Sequence, residues 1–510
     1  MTRLASSLAT RRRRPTQVAV MLLGLLPLVV STPVAAQPMP KSELPDIGAP
    51  WATTLSRAQA YQFGRMIMRQ LRDADQVLED PELTQYVQAL GHKLSSRASD
   101  GEDKFEFFVV KDGAINAFAL PGGFIGVNAG LIDATNTESE LAGVLAHEVA
   151  HVTQDHIARR IHAQGQNGLV TGAALLAAVL LGAMAGVDGD AIAAAASVTQ
   201  GVAAQQAINF TRSNEYEADR VGIGILAEAG FDPQGMPDFF ETLGKRSGIR
   251  GTQIPEFLRT HPLEANRVAE SRNRAAEYND VEPPQDTLDY DLAKVRVRSL
   301  LADTRTEAVR YFEDFSPDGI LEADVPTRYG YAISLLAADQ PKRAEPFFRS
   351  LVNELGYVTA FHSGLAESLI AKGEVQDGLE VYEAALRLFP RNIPLTMRYS
   401  RALMNNGHAQ QAHTLMLDLL NNINYTAEQL RLIALAASEA GDEGDAHYYM
   451  SEFHVVNGDL YQAIDQLKLA QEASDLKPVQ RERFSARIEE IEKVLPRDRR
   501  GRIKPRPKDQ

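Results

Sequence analysis

Residues 145–156 read "LAHEVAHVTQDH" and place three of the chain's 11 histidines, His147, His151 and His156, within a dozen positions. On an α-helix His147 and His151 lie about 40° apart around the axis and about 6 Å along it, so both imidazoles reach one ion from the same face. Glu148 flanks that face, where it can take a proton from an activated water without occupying a coordination position. H-E-x-x-H on a helix is an arrangement for metal-dependent peptide hydrolysis. Extended along the same helix, His156 falls about 140° from His151 and points elsewhere, and His162 regains the face only about 16 Å further on. Both read as surface residues or as residues behind the ligands.

A hydrolytic ion needs a third protein ligand and a position left for solvent. "NEYEAD" (214–219) offers Glu215, Glu217 and Asp219. Glu215 and Asp219 are four residues apart and share a helix face, whereas Glu217 points away. One of the pair is expected to bind the ion and the other to orient a ligand or handle protons. Spacing does not choose between them, and a solvated acidic helix end is the bland alternative.

The elements that must position these groups are legible as changes of period. Helical patterns at 53–72 and 80–97 come first, the second opened by Asp80 as N-cap with Pro81 behind it. "KFEFFVV" (104–110), "AINAFAL" (114–120) and "GFIGVNAG" (123–130) then read as three short strands. Turn signals at Asp112-Gly113 and Pro121-Gly122-Gly123 divide them, and connections this short imply antiparallel pairing. Helix resumes at Thr137 and carries the histidines; "TRSNEYEADRVGIGILAEAG" (211–230) is a further helix stopped by Gly230. Between them, "GLVTGAALLAAVLLGAMAG" (168–186) holds no charge. It reads as a buried, plug-like helix, with a membrane span or contact with a membrane surface as alternatives.

The second half is helical with a 34-residue period. Ala344, Gly378, Ala412 and Ala446 share it, as do Gly373, Gly407 and Gly441, and the small residues Ala332, Ala366, Ser400 and Ala434. Phe348, Tyr382, Met416 and Met450 fall in register. Small residues where paired helices cross and larger ones between layers make the tetratricopeptide pattern, a surface for binding protein. An acidic, Pro-containing stretch around 276–292 reads as the linker between halves.

Composition narrows the setting. A net charge of −14 disfavours a nucleic-acid partner, since phosphate binding needs a concentrated basic face. "RRRR" (11–14), the apolar run "VAVMLLGLLPLVV" (18–30) and "STPVAAQ" form a secretory signal with cleavage expected after Ala36. The sequence has no cysteine, so neither disulfides nor cysteine-linked lipid holds the exported chain. "PRDRRGRIKPRPKDQ" (496–510) reads as a solvated basic tail.

The run "NAFALPGGFIGVNAGL" (116–131), the helix "LAGVLAHEVAHVTQDH" (141–156) and "RSNEYEADRVG" (212–222) resemble the gluzincin family that contains the CAAX-prenyl and HtpX-like membrane proteases. The signal and the repeats narrow the likeness to a periplasmic, repeat-bearing subgroup. This resemblance implies one Zn2+ per chain on His147, His151 and Glu215, with Glu148 as general base. Asp219 matches a second acidic residue of the family, a proton donor or the support of a ligand. "RTHPLEANR" (259–267) matches a segment whose histidine can take the fourth zinc position, which casts His261 as a reversible inhibitory ligand; by itself, a histidine before Pro262 reads as a structural loop residue. The implied partners are unfolded or misassembled outer-membrane proteins and, through the repeats, the barrel assembly machinery.

The expected fold class is therefore α+β: a mostly helical zincin-type metallopeptidase domain with a small antiparallel sheet, then an all-α tetratricopeptide solenoid. The expected division is a signal peptide (1–36), the peptidase domain (37–275), a linker (276–310), the repeats (311–485) and a basic disordered tail (486–510). The expected function is an exported zinc endopeptidase with a chaperone-like role in outer-membrane protein quality control. A scaffold with an idle or structural metal site is the rival, and Glu148 weighs against it, because a structural zinc site needs no base.

Overall fold

The computed structural model describes residues 55–98, 104–163, 212–250, 255–278 and 284–495 except 315, 317, 318 and 475, together with Ile503. The segment expected to be a signal peptide (1–36), the apolar segment 168–186 and most of the expected basic tail from 496 lie outside the described residues.

Helix α1 (Arg57–Asp73) starts in a capping box in which Ser56 and Gln59 serve each other's backbone. Helix α2 (Pro81–Ala98) begins with Asp80, whose Oδ1 accepts from the Leu83 amide at 3.1 Å. Strands β1 (Glu106–Val110), β2 (Ala117–Leu120) and β3 (Phe124–Asn128) form one sheet in the order β1-β3-β2. β2 and β3 make the expected antiparallel hairpin, turning through Gly122 and Gly123 at φ 82° and 86°.

The third pairing corrects the antiparallel expectation: β1 runs parallel to β3. The loop after β1 does not fold back as a hairpin but crosses the end of β3, where the Asp112 carbonyl accepts from Gly130 and the Asn116 carbonyl accepts from Asn128. A Cβ on Gly130 would stand 2.0 Å from the Gly113 oxygen, so this crossing needs glycine there. β2 is thereby left at one edge of the sheet. The opposite edge, beyond β1, is covered by 76–78 through the Val77–Val110 bridge.

Helices α3 (Ala129–Ala134), α4 (Glu138–Thr153), α5 (His156–Ala163), α6 (Arg212–Glu228), α7 (Gly235–Arg250), α8 (Glu256–Thr260) and α9 (Ala265–Ala275) complete the first half. Helix α4 is buried on every side from Glu138 to His151, packed among α2, the sheet, α6 and α7. Its apolar face, Leu141, Leu145 and Val149, joins Leu90 and Leu94 of α2, Ile125 and Val127 of β3 and Phe239 of α7 in one core. Burial at this scale stabilises each large side chain by about 1.5–3 kcal/mol and holds the helix that bears the histidines rigid.

The stretch expected to be a linker holds helix α10 (Leu288–Leu301), which belongs to both halves. Tyr290, Ala293 and Val297 enter the first core, while Leu292 and Val295 pack with Phe312, Tyr329 and Phe348 in the next. An acidic, Pro-containing approach hides a helix whose two faces serve different cores.

Beyond it, antiparallel pairs stack: Val325–Ala337 with Pro341–Glu354, Thr359–Ala371 with Val375–Leu388, Ile393–Asn405 with Ala409–Leu420, and Ala427–Glu439 with Glu443–Val456. The phased residues Ala332, Ala366 and Ser400 are wholly buried at the crossings, and Phe348, Tyr382 and Met416 fill the spaces between layers. Gly373, Gly407 and Gly441 turn the chain at φ 93°, 81° and 80°, and Asp339 takes that place in the first pair at φ 57°. Leu460–Glu472 and Pro478–Val494 close the stack. The last helix continues past 486, where the tail was expected to start. No helix among the described residues is long and apolar enough to cross a membrane.

The stack folds back onto the first half. Arg296 of α10 donates to both Asp80 oxygens at 2.7 Å and to the Tyr329 hydroxyl, and Arg398 donates to Glu82 at 2.6 Å and to Glu367 at 2.8 Å. Further along, Arg65 of α1 donates to the Val456 carbonyl at 2.8 Å and Arg72 to the Asn457 side chain at 2.7 Å.

Candidate metal centre

His147 and His151 project from one face of α4, as their spacing requires, with their Nε2 atoms 2.9 Å apart. Helix α6 crosses α4 at Gly222, where a Cβ would stand 2.8 Å from the Met236 methyl and 3.1 Å from the His147 amide nitrogen. That close crossing delivers Glu215, whose oxygens lie 3.5 Å from His147 Nε2 and 3.5 Å from His151 Nε2. His261, at the end of α8, completes the group with Nδ1 3.1 Å from Glu215 Oε1 and 3.4 Å from His147 Nε2. One atom from each of the four residues lies within 4.8 Å of all the others. All four are at most 1 % exposed, so water does not screen them.

The set fits a cation. An ion with four ligands at about 2.1 Å in a tetrahedron holds neighbouring donor atoms roughly 3.4 Å apart, close to the separations above. Two Nε2 atoms stand 2.9 Å apart, and an ion between them would take the lone pair of each. Burial holds the His151 imidazole well below its usual range and so neutral, with His147 adding to the effect. Burial works to raise Glu215, but His261, His147 and Arg267 override it and hold the carboxylate well below the ordinary range. Burial also disfavours a charged His147, yet Asp219 and Glu215 outweigh it and raise this imidazole to about 9.

Glu148 is wholly buried, and neither carboxylate oxygen has a hydrogen-bond partner; His261 Nε2 stands 3.4 Å from Oε1. A buried carboxylate without donors is costly unless its partner is something that comes and goes.

Asp219 lies on the far side of His147, with Oδ1 2.9 Å from Nδ1. Its oxygens also take Arg267 Nε at 2.6 Å, Arg267 Nη2 at 2.8 Å and the Ser271 hydroxyl at 3.3 Å. Of the pair that spacing left open, α6 brings Glu215 into the donor cluster and sets Asp219 against the far side of His147.

One residue of the site, Arg267, escapes sequence reasoning, and a second, His156, takes the place behind His151 by a path the sequence did not show. Arg267 bridges the carboxylates, with Nη1 also 2.7 Å from Glu215 Oε2, and is 1 % exposed; it stands at the end of the "HPLEANR" run, where only the histidine attracted notice. His156 is fully buried, with Nδ1 2.8 Å from His151 Nδ1. The helical extrapolation failed because α4 ends at Thr153 and the chain turns through Asp155 at φ 52°, which swings His156 back behind its neighbour. Glu217 does point away from the donor cluster, toward His156 and Arg159.

A cavity of about 370 Å³ opens beside His151, lined by Tyr61, Leu120, Pro121, Gly122, Val152 and Ile157. It runs from His151 to Leu120 at the end of edge strand β2.

Residues 81–275 match the family model described as Peptidase family M48, and 369–436 match a tetratricopeptide repeat. A buried histidine and carboxylate cluster on H-E-x-x-H, in a chain that matches this family, defines a metallopeptidase. The chain is 33% identical over 455 residues to a putative beta-barrel assembly-enhancing protease of Vibrio cholerae, covering 88% of this chain and 92% of that one. It is 32% identical over 458 residues to the beta-barrel assembly-enhancing protease of Escherichia coli K12, covering 89% and 92%. The mitochondrial metalloendopeptidase OMA1 of Arabidopsis thaliana is similar over the peptidase part alone, at 32% identity over 193 residues, 37% of this chain and 35% of that one. The chain belongs to the family of beta-barrel assembly-enhancing proteases.

Proposed function

We propose that the protein is a zinc endopeptidase of the periplasm that acts on unfolded or misassembled outer-membrane proteins and assists their assembly into barrels. The single observation that carries the hydrolytic reading is the convergence of His147, His151 and Glu215 beside a buried Glu148 whose oxygens accept no hydrogen bond. His147, His151 and Glu215 would hold one Zn2+. Bound there, the ion would polarise the scissile carbonyl and acidify water.

The chain's own groups do the rest. Glu148 accepts the proton of the attacking water and returns it to the leaving amine. Asp219, itself held by Arg267, keeps His147 Nδ1 protonated so that Nε2 keeps its lone pair for the ion; its oxygens are too fully engaged for it to serve as proton donor. β2 offers its outer edge to an extended substrate, which would pair as an added strand along the cavity beside His151. Unfolded chains and unpaired barrel strands present such backbone, and packed proteins do not.

His261 occupies the fourth side of the cluster, next to both Glu215 and Glu148, which supports a reversible inhibitory role in which it must withdraw for substrate to enter. The same placement favours the second reading, a chaperone-like scaffold whose centre rests latent. The expected export signal and the names of the relatives support the periplasmic setting, and the repeats, from 311 onward, would engage the assembly machinery or its clients. Contact with the membrane surface would be peripheral.

Glu148→Gln tests the reading. The variant should bind zinc, fold normally and cleave no unfolded outer-membrane protein; undiminished cleavage would overturn the hydrolytic mechanism.

A further inference from the structure

We infer that His156 is a positioning residue for the metal centre, the outer partner that fixes the tautomer and ring orientation of His151. This rests on the metal-centre reading above. His151 presents Nε2 to the donor cluster, 2.9 Å from His147 Nε2, so its proton must sit on Nδ1. That atom lies 2.8 Å from His156 Nδ1, which must then be the unprotonated acceptor. The His156 proton is left on Nε2, and Nε2 stands 3.2 Å from Glu217 Oε2. Arg159 donates to the same oxygen at 2.9 Å. Each hydrogen bond in the series fixes the next, from a partly exposed ion pair to a fully buried ligand.

The two ligand histidines are therefore held differently. His147 leans on a carboxylate, Asp219, clamped by Arg267. His151 leans on an imidazole and meets a carboxylate only one residue further out. An anionic partner raises the basicity of a ligand imidazole more than a neutral one does, so His147 is the stronger donor and His151 the one whose hold depends on orientation. The turn at Asp155 is what makes this possible, because an unbroken helix would carry His156 away.

The test is the affinity of the purified full chain for Zn2+, measured by competition with a chelator, together with the thermal stability of the metal-free protein. His156→Leu removes the acceptor and should raise the zinc dissociation constant about 10- to 100-fold. His156→Gln, whose side-chain oxygen can accept from His151 Nδ1–H, should recover most of that loss. Glu217→Gln, at a partly exposed position, should weaken binding in the same direction but less, with metal-free stability unchanged. Parent-like zinc affinity in His156→Leu, or equal losses in His156→Leu and His156→Gln, would overturn the inference. A parent that binds no zinc at all would instead overturn the metal-centre reading.

Discussion

Two clusters of buried charge organise this molecule, and they are built on opposite plans. Where the repeats meet the first half, Asp80 and Glu82 each face a guanidinium, Arg296 or Arg398, and every charge is answered by another side chain. At the centre on α4, imidazoles face one another and Glu148 accepts no hydrogen bond, with only His261 Nε2 near it at 3.4 Å. The first cluster is complete within the chain and holds architecture. The second reads as complete only with an ion and a substrate. Buried polarity is costly in both, and what satisfies it separates a clamp from a reaction centre.

The largest effect should come from breaking the second cluster chemically while leaving its packing intact. Glu148→Gln is expected to lower the turnover of an unfolded polypeptide substrate by about 10²–10⁴-fold, the span of general acid–base catalysis, with zinc content and melting temperature unchanged. Breaking the first cluster should do the reverse. Arg398→Met leaves Glu82 with Arg296 alone, 3.2 Å away, and should destabilise the chain by up to about 3 kcal/mol in denaturant unfolding, while any protein that remains folded keeps its zinc affinity.

On the proposed reading Asp219→Asn alters the support of a ligand and not the ligand itself. It should weaken zinc binding about 10- to 100-fold, measured by chelator competition. His261→Ala should raise the initial rate of hydrolysis severalfold and leave the dissociation constant for zinc nearly unchanged, because three ligands remain.

Acid sharpens the same contrast. Burial pushes Asp80 up, but Arg296 and Arg398 override it and hold the carboxyl at about 2, below its ordinary 3.8. A depressed carboxyl stabilises the fold above its unfolded pKa and loses that contribution as pH falls through the folded value. About 2 kcal/mol should therefore be present at neutral pH and fade between about pH 4 and pH 2. Unfolding titrations over that window should show the fade in the parent and a much smaller one in Asp80→Asn.

The sequence carried the site further than it carried the paths to it. His147, Glu148 and His151 follow from spacing along one helix, because three residues of a regular element share a known geometry. Glu215 and Asp219 occupy one face, and only the crossing of α6 over α4 at Gly222 decides between them. His156 was expected at the surface or behind the ligands, and Asp155, whose left-handed backbone ends the helix that the extrapolation assumed, decides for the second. Arg267 had no local signal, since its partners lie 48 and 52 residues earlier. The parallel pairing of β1 was hidden because a short loop between strands looks like a hairpin unless the glycine that lets it cross is recognised. The repeats were legible as a period of small residues, whereas α10 was not, because a helix shared by two cores has apolar residues all round and no stripe.

The most direct test of the metal-centre reading is the zinc content of the purified parent beside His151→Ala and Glu215→Gln. One ion per parent chain, with substoichiometric metal in both variants, is the expected result. A parent without stoichiometric metal, or variants that retain a full ion, would contradict it.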